Sequence, residues 1–290
     1  MKKESASQTA QAAAAIRAYD NLSNQPPIFH DAYALMMTSP AWRLLLSNKA
    51  LLRVFKTQMF RRTFGLLVTQ VAARSLYNED WLFEVLDRGV KQYVIIGAGL
   101  DSFALRAAAQ YPELNIYELD HPDTQALKIK TLSQLGKIPD NVEFVPINFE
   151  LEKLSDALRH SSYDVKNLGY FSWLGTTHYL KPETTLSTLR DLAAFAASES
   201  EIVFDYSIPY QNLKGIERLG TMMLSQVTHL FNEPIIGFFD TEHLHNSLWN
   251  MGYVVVEDMS GKDITERYLA WRKNGMHHTD AAHLLRLQIA

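Results

Sequence analysis

The stretch Tyr93-Val94-Ile95-Ile96-Gly97-Ala98-Gly99-Leu100-Asp101-Ser102 decides the fold class of this chain. It is a short apolar run that ends in two glycines flanking one small residue. A second run, Ile116-Tyr117-Glu118-Leu119, ends in the acid Asp120. In a doubly wound α/β sheet, such glycines let the backbone approach a ligand, and the acid accepts hydrogen bonds from ribose hydroxyls. The pattern therefore predicts a pocket for a nucleoside-bearing cofactor.

The turn after the glycines distinguishes between two kinds of cofactor. A dinucleotide-binding fold has a third glycine three residues after the second, where a pyrophosphate sits on a helix N-terminus. Here that position is Ser102, and Asp101 precedes it. A carboxylate repels a pyrophosphate but is compatible with the ammonium group of S-adenosyl-L-methionine. The turn favours a methyltransferase, and a nicotinamide-dependent oxidoreductase is the alternative.

Composition restricts the possible partners and the compartment. The chain has 290 residues, a net charge of -4 and no cysteine. We expect no nucleic-acid partner, because there is no basic footprint. Disulfides and thiolate metal sites are excluded, and a reducing compartment is expected. The N-terminus lacks the apolar region of a signal peptide, and no stretch reaches the roughly 18 apolar residues of a membrane span. We expect a cytoplasmic protein with no membrane partner.

The chain divides near residue 85 into a predicted helical N-terminal cap, residues 1–85, and a cofactor-binding domain, residues 86–290. In the cap, apolar residues recur at helical spacing over 9–21, 31–37, 42–54 and 64–76. In the domain, predicted helices over 102–110 and 123–135, and one that opens at Pro182, alternate with strands. The predicted strands are 93–96, 115–119, 142–147, 168–174, 201–208, 252–256 and 283–289. This alternation predicts an α/β fold with a mostly parallel sheet, helices on both faces, and ligands at the strand C-termini.

One segment interrupts the alternation. Residues 211–232 have apolar side chains at helical spacing and follow the fifth strand directly. Helices inserted at this end of a sheet commonly cover an active site, so we expect this one, with the N-terminal helices, to enclose the substrate. The alternative is that these helices only complete a core.

Several motifs, in order and with compatible spacing, resemble the leucine carboxyl methyltransferase-like family of class I S-adenosyl-L-methionine-dependent O-methyltransferases. Beside the glycine turn they are Val71-Ala72-Ala73-Arg74-Ser75, Tyr117-Glu118-Leu119-Asp120-His121-Pro122, Ser172-Trp173-Leu174-Gly175, Tyr179-Leu180, Val203-Phe204-Asp205-Tyr206, Glu233-Pro234 and Gly237-Phe238-Phe239. The resemblance implies a class I methyltransferase (Rossmann-like) fold: a seven-stranded sheet with an antiparallel last strand and a helical N-terminal cap.

The resemblance also implies a set of cofactor residues. Arg74 matches the arginine that pairs with the carboxylate of S-adenosyl-L-methionine. Gly97 and Gly99 would line its methionine moiety, and Asp120 would hold its ribose. Asn148 and Phe149 stand where the family usually has Asp-Leu against the adenine. An asparagine still accepts from the adenine amino group, and a phenylalanine still stacks on the ring.

The strand ends contribute candidates for the acceptor side. His178 and Tyr179 follow the fourth strand, and Tyr206 ends the fifth. His178 would serve as a general base if the acceptor were a hydroxyl or a phenol; the alternative is a histidine bonded to backbone at a helix start. The expected acceptor is a carboxylate or a hydroxyl group of a small molecule or a peptide; a carboxylate is already ionised near neutral pH and would need no base. Leu174 departs from part of the family, which has Glu there, and this weakens identification of the acceptor with a phosphatase C-terminus.

The remaining histidines do not predict a metal site. His243 and His245 are two apart on an expected helix and so do not share a face. His277, His278 and His283 lie near the C-terminus with nothing but a loop to hold them together, and we interpret them as surface residues. A third function class stays open at this point, a non-catalytic protein that uses a methyltransferase fold for binding. The four residues matched to the cofactor's methionine and ribose argue against it.

Overall fold

The computed structural model describes residues 5–55, 57–136, 138–209, 211, 213, 215, 218, 235–272 and 275–290. Its centre is a seven-stranded sheet in the order β3-β2-β1-β4-β5-β7-β6. The strands are β1 (Gln92–Ile96), β2 (Asn115–Asp120), β3 (Val142–Pro146), β4 (Gly169–Trp173), β5 (Glu201–Ser207), β6 (Tyr253–Met259) and β7 (Ala282–Ile289). Each predicted strand is present, within a few residues of the predicted bounds.

The strand order places the candidate residues. The first five strands run parallel, whereas β7 is antiparallel to both β5 and β6. The chain leaves β1 toward β2 and β3 and then returns to β4 on the other side of β1. The C-terminal ends of β1 and β4 are therefore the topological switch point, where open α/β sheets bind ligands. The predicted α/β methyltransferase sheet is confirmed.

Helices pack on both faces of the sheet. They are α1 (Ser5–Ser23), α2 (Ala34–Met37), α3 (Pro40–Ser47), α4 (Lys49–Phe55), α5 (Gln58–Asp87), α6 (Phe103–Arg106), α7 (Pro122–Leu135), α8 (Leu154–Arg159), α9 (Pro182–Phe195), α10 (Thr241–Asn250) and α11 (Gly261–Ile264). Within the residues described, no helix has the length and apolar character needed to cross a membrane.

Alternation along β5 shows how the two faces differ. Phe204 and Tyr206 belong to the apolar cluster under α8, α9 and α10, whereas Val203 belongs to the cluster under α5. Because successive side chains of a strand point to opposite faces, Asp205 and Ser207 lie on the α5 face with Val203. This face holds the candidate site.

The N-terminal helices lie against the glycine turn. No strand precedes β1 among the described residues, and the predicted pattern over 64–76 is the middle of one long helix, α5, that reaches Asp87. Arg17 on α1 donates from Nη2 to the carbonyl of Leu100 at 2.7 Å and from Nε to Asp31 at 2.9 Å. A Cβ added at Gly99 would meet Ala10 of α1 at 3.4 Å.

Two of the predicted helices differ from the structure or fall outside the described residues. The helix predicted over 102–110 is shorter: α6 ends at Arg106, and a separate 3-10 turn follows at Ala108–Gln110. The predicted inserted helix over 211–232 lies outside the described residues, apart from 211, 213, 215 and 218. It stays a prediction, as does its role over the active site.

Candidate functional site

The glycine turn joins β1 to β2 through backbone bonds. Gly97 N and Ala98 N both donate to the carbonyl of Leu119, at 2.8 and 3.0 Å. Gly97 and Gly99 have φ angles of +70° and +50°, a region that side chains disfavour. A Cβ at Gly97 would come within 2.5 Å of the Thr176 methyl group, so only glycine leaves this approach open.

The carboxylate of Asp101 caps the short helix after the turn. Phe103 N donates to Asp101 Oδ1 at 2.7 Å. A dinucleotide fold would present such an N–H to a pyrophosphate. Here the Asp101 carboxylate already satisfies this donor.

Asp120 lies directly beside the glycine turn. Its Oδ2 accepts from Gly99 N, and its Oδ1 accepts from His121 N at 2.6 Å. Burial raises the pKa of Asp120 above its ordinary value, although the two backbone donors oppose the rise. Each oxygen keeps lone-pair capacity for a further donor such as a ribose hydroxyl.

Glu118, two residues earlier, has a different environment. It is 1% exposed, and its Oε2 lies 2.6 Å from Nζ of the equally buried Lys128 on α7. Burial raises the pKa of Glu118, and the Lys128 charge only partly offsets this. The pair joins α7 to β2 under the site, whereas Asp120 stands at its mouth.

Asn148 and Phe149 follow β3 next to Asp120. Ile147 N donates to the Asp120 carbonyl at 2.9 Å, which sets this loop beside the end of β2. Asn148 Oδ1 accepts from Glu150 N at 3.0 Å, so one of its lone pairs shapes the loop. The Phe149 ring stacks with Trp173, 6.4 Å between ring centroids.

Arg74 on α5 reaches the ends of β4 and β5. Its Nη1 lies 3.2 Å from Asp205 Oδ2, and Asp205 Oδ1 accepts from Gly175 N at 2.7 Å. A Cβ at Gly175 would overlap the Arg74 guanidinium, 2.3 Å from Nη2, so the backbone leaves room for this side chain. Asp205 is 1% exposed. Burial by itself would raise its pKa, but its three partners, His178, Arg74 and the Gly175 N–H, outweigh burial and lower the pKa of Asp205 far below its ordinary value.

His178 lies on a 3-10 turn, Thr177–Tyr179, that follows β4. Its Nε2 is 3.0 Å from Asp205 Oδ2, and its Nδ1 is 2.7 Å from Ser207 Oγ. Both ring nitrogens are therefore bonded to side chains, and the alternative of a ring bonded to backbone is wrong. The His178 carbonyl accepts from Ile236 N and Gly237 N, which pin the turn in place.

Tyr179 and Tyr206, the other two candidates for the acceptor side, are not equivalent. The Tyr179 ring stands edge-on to His178, 6.3 Å away, and is partly exposed. Tyr206 is fully buried on the opposite face of β5, where its hydroxyl donates to Asp258 at 2.8 Å and lies 3.1 Å from His283 Nδ1. Strand alternation directs Tyr206 away from Asp205, so we leave it out of the proposed site.

The expectation that the C-terminal histidines lie at the surface is wrong for His278 and His283. His278 is 3% exposed, and burial lowers its pKa to about 4. His283 and His245 both bond to Asp258, at 2.9 and 2.7 Å. The described residues contain no group of three acidic, histidine or cysteine side chains able to hold a metal ion.

Sequence reasoning assigned no role to Asp205 or Ser207. Both stand at the C-terminal end of β5, two residues apart and hence on one face, and this spacing was the available signal. It also missed the ion network behind the glycine turn, where Arg106 bonds to Glu79 at 2.9 Å and to Ser102 Oγ at 2.7 Å. Ser102, the residue in place of a third glycine, thereby anchors Arg106.

The donor set fits the expected cofactor. Asp120 supplies acceptor atoms for a diol, and the glycines let the backbone come close. Arg74 is the basic group on the opposite side of the turn, and among the described residues its one ion-pair partner is Asp205. A guanidinium can pair with a carboxylate through two parallel bonds, so Arg74 retains donors for an incoming carboxylate.

Comparison with known proteins gives a consistent result. Residues 10–193 match the family described as leucine carboxyl methyltransferase. The chain is 28% identical over 302 aligned residues to a Bacillus subtilis (strain 168) protein named as an S-adenosyl-L-methionine-dependent methyltransferase, YktD, with 98% of each chain covered. A Mycobacterium avium (strain 104) protein named as the same kind of enzyme is 30% identical over 151 residues, which are 52% of this chain and 48% of that one.

Solved structures share the fold. A DUF574 family protein from Streptomyces avermitilis superposes with a TM-score of 0.63 at 12% identity, covering 95% of this chain and 97% of the other. A Thermobifida fusca protein named as a methyltransferase superposes with a TM-score of 0.59 at 13% identity, covering 94% of each chain. At these identities the likeness is one of fold alone.

Proposed function

The chain belongs to the leucine carboxyl methyltransferase family and is an S-adenosyl-L-methionine-dependent methyltransferase, and from that premise we propose that it methylates an oxygen atom. The acceptor oxygen belongs to a carboxylate or a hydroxyl group on a small molecule or a peptide. Bound S-adenosyl-L-methionine supplies a methyl group carried on a sulfonium sulfur. The thioether that this displacement releases is neutral, so the leaving group needs no protonation.

One observation carries the cofactor assignment. Asp120 and Arg74 stand on opposite sides of the glycine turn, one at the end of β2 and the other reaching over Gly175 after β4. We assign the ribose hydroxyls to Asp120 and the methionine carboxylate to Arg74, with Gly97 and Gly99 between them. Asn148 and Phe149, beside Asp120, are assigned to the adenine.

The chain's remaining task is to align the acceptor and exclude water. The rate of displacement at a sulfonium is raised most by holding the reactants close together and by excluding water from the site. The acceptor side is assigned to the ends of β4 and β5, where His178 and Tyr179 lie. The α1 helix, held to the glycine turn through Arg17, covers the turn from the other side.

The structure gives the nicotinamide alternative no support. A pyrophosphate at the helix N-terminus would meet the carboxylate of Asp101, and the N–H of Phe103 is already bonded to that carboxylate. A binding protein without activity would not need Arg74 and Asp120 at a cofactor mouth, and both are there.

The proposal is tested with cofactor labelled in the methyl group. The purified protein is incubated with separate pools of carboxylic acids, phenols, alcohols and peptides, and the labelled product is located by mass spectrometry. We expect the label on oxygen; lability in alkali then separates an ester from an ether. Label on nitrogen or carbon would overturn oxygen methylation while leaving methyl transfer itself intact. An Arg74→Ala protein is the control, and it should transfer far less label at limiting cofactor.

A further inference from the structure

We propose that Ser207, His178 and Asp205 form a proton relay, and that the methyl acceptor is therefore a neutral hydroxyl group, an alcohol or a phenol. This inference rests on the proposed function and narrows it to one of its two substrate classes. It adds Ser207, to which neither the sequence motifs nor the family match assigned a role.

The relay is defined by two contacts on the α5 face of the sheet. Asp205 Oδ2 lies 3.0 Å from His178 Nε2, and His178 Nδ1 lies 2.7 Å from Ser207 Oγ. All three side chains are buried, so the contacts are shielded from water. A carboxylate, an imidazole and a hydroxyl in this order form an arrangement that moves a proton away from the hydroxyl.

The charge of Asp205 decides which ring nitrogen carries the proton. Asp205 is held by Arg74 and by the Gly175 N–H, and both favour its ionised form. An ionised carboxylate only accepts, so His178 Nε2 must donate to it. When the ring carries this one proton, Nδ1 has a free lone pair and accepts from the Ser207 hydroxyl, 2.7 Å away.

Because both nitrogens are engaged, His178 cannot take a proton from the acceptor directly. The group able to meet the acceptor is Ser207, the last residue of β5. As the acceptor oxygen bonds to the methyl carbon, the carbon–sulfur bond breaks and its electron pair stays on sulfur. The acceptor proton passes to Ser207 Oγ while the Ser207 proton passes to His178 Nδ1. The resulting imidazolium is stabilised by Asp205, and once the methylated product has left, its proton passes back through Ser207 Oγ to the water that replaces the product.

A carboxylate acceptor would have no use for these contacts. It is already ionised near neutral pH, so its methylation releases no proton. A buried carboxylate that fixes the tautomer of a buried histidine serves a hydroxyl acceptor, whose proton must leave during transfer.

The groups around His178 allow the relay to be detected by its pH dependence. They are Asp205 at Nε2, Arg74 beyond Asp205, Tyr179 against the ring edge, and His278 from the segment before β7. His278 is electrostatically coupled to Asp205 and Arg74, but burial lowers its pKa to about 4. The pKa of Asp205 is also far below its ordinary value. Neither His278 nor Asp205 changes its charge near neutral pH.

The test compares Ser207→Ala and His178→Gln with the wild type. Glutamine can bond to Asp205 but cannot take up a proton. Ser172→Ala is the matched control, because it removes a buried serine hydroxyl from β4 whose partner is Tyr93, 3.0 Å away. Binding of S-adenosylhomocysteine is measured by calorimetry, and kcat is measured against pH with the alcohol, phenol and carboxylic-acid pools.

We expect the wild type to form alkali-stable methyl ethers, with a kcat that falls at low pH, because a protonated His178 cannot accept the proton of Ser207. Ser207→Ala and His178→Gln should bind S-adenosylhomocysteine like the wild type and lose about 100-fold or more in kcat, with that pH dependence gone. Ser172→Ala should keep both properties.

Four outcomes would overturn the relay. Methyl esters as the sole product, or an unchanged kcat in both variants, would rule out the relay but would leave oxygen methylation as the proposed function. Loss of S-adenosylhomocysteine binding in both variants would mean that His178 and Ser207 maintain the structure of the cofactor site and do not transfer a proton. Methyl transfer to nitrogen or carbon would overturn the relay together with the proposed function.

Discussion

The guanidinium of Arg74 and the carboxylate of Asp205 are paired at 3.2 Å although 131 residues separate them in sequence. The pair joins the long helix α5 to the end of β5. The same carboxylate binds His178, so the proposed cofactor side and the proposed acceptor side share one buried charge. Substitutions of Arg74 or Asp205 should therefore affect both cofactor binding and the stability of the protein.

Removal of the Arg74 side chain should weaken cofactor binding. Arg74→Ala is expected to lose about 1.5–3 kcal/mol in affinity for S-adenosyl-L-methionine, the range for a hydrogen bond to a charged group. Calorimetry at one ionic strength measures the change. Arg190→Ala, which removes an exposed arginine from α9, is the control and should bind normally. An unchanged Kd in Arg74→Ala would assign the cofactor carboxylate to another group.

The lowered pKa of Asp205 predicts how its contribution to stability varies with pH. A carboxylate whose folded-state pKa lies below its unfolded value stabilises the protein above the unfolded value, and this stabilisation is lost as pH falls toward the folded value. Asp205→Asn should cost about 3–5 kcal/mol near neutral pH, as expected when one partner of a buried pair is removed. The gap to wild type should stay constant down to about pH 5 and then narrow below the ordinary Asp value of 3.8. Urea unfolding of both proteins over this pH range measures it; a gap that widens in acid would contradict the sign.

The buried pair of Glu118 and Lys128 should behave as structure and not as a ligand site. Lys128→Met alone leaves a buried carboxyl group without its partner and should cost about 3–5 kcal/mol. The double variant Glu118→Leu with Lys128→Met should regain most of that loss, because buried pairs can be replaced by apolar side chains of similar volume. Cofactor affinity in the double variant should match wild type. A large loss of affinity there would show that Glu118 and not Asp120 holds the ribose.

Arg17 should connect the stability of the N-terminal helices with the glycine turn. Arg17→Ala removes the buried pair with Asp31 and the bond to the Leu100 carbonyl. We expect a loss of about 3 kcal/mol or more in the free energy of unfolding, together with faster amide exchange at Leu100 and Asp101. Arg43→Ala, an exposed arginine on α3, is the control. Unchanged exchange at the turn would mean that α1 does not restrain it.

Tyr206→Phe distinguishes a structural tyrosine from a substrate contact. The variant loses the bonds of its hydroxyl to Asp258, Thr241 and His283 on the face opposite the site. It should lose about 1.5–3 kcal/mol of stability, because one partner is charged, and its cofactor affinity should not change. Tyr253→Phe is the matched control: its hydroxyl bonds to a neutral carbonyl at 2.7 Å, so its loss should be nearer 1 kcal/mol. If Tyr206→Phe had wild-type stability and a raised KM for the acceptor, Tyr206 would be a substrate contact after all.

The sequence by itself determined the sheet, the glycine turn and the candidate cofactor residues. These features are local: an apolar run followed by Gly97 and Gly99 sets the turn, and an acid at the end of the next run sets Asp120, because the backbone requirements lie within a few residues. The sequence also predicted different roles for Glu118 and Asp120, because Asp120 ends the strand whereas Glu118 lies two residues before its end.

Only the tertiary structure decided which side chains meet. The order β3-β2-β1-β4-β5-β7-β6 brings β5 next to β4, and α5 across both, so Arg74, His178, Asp205 and Ser207 converge from three separate parts of the chain. The same order puts Tyr206 and His283 together on the other face. Strand periodicity gives the face of each residue relative to its neighbours, but which helix covers that face depends on packing between distant segments. That packing made His178 part of a bonded group and turned an unassigned serine into its partner.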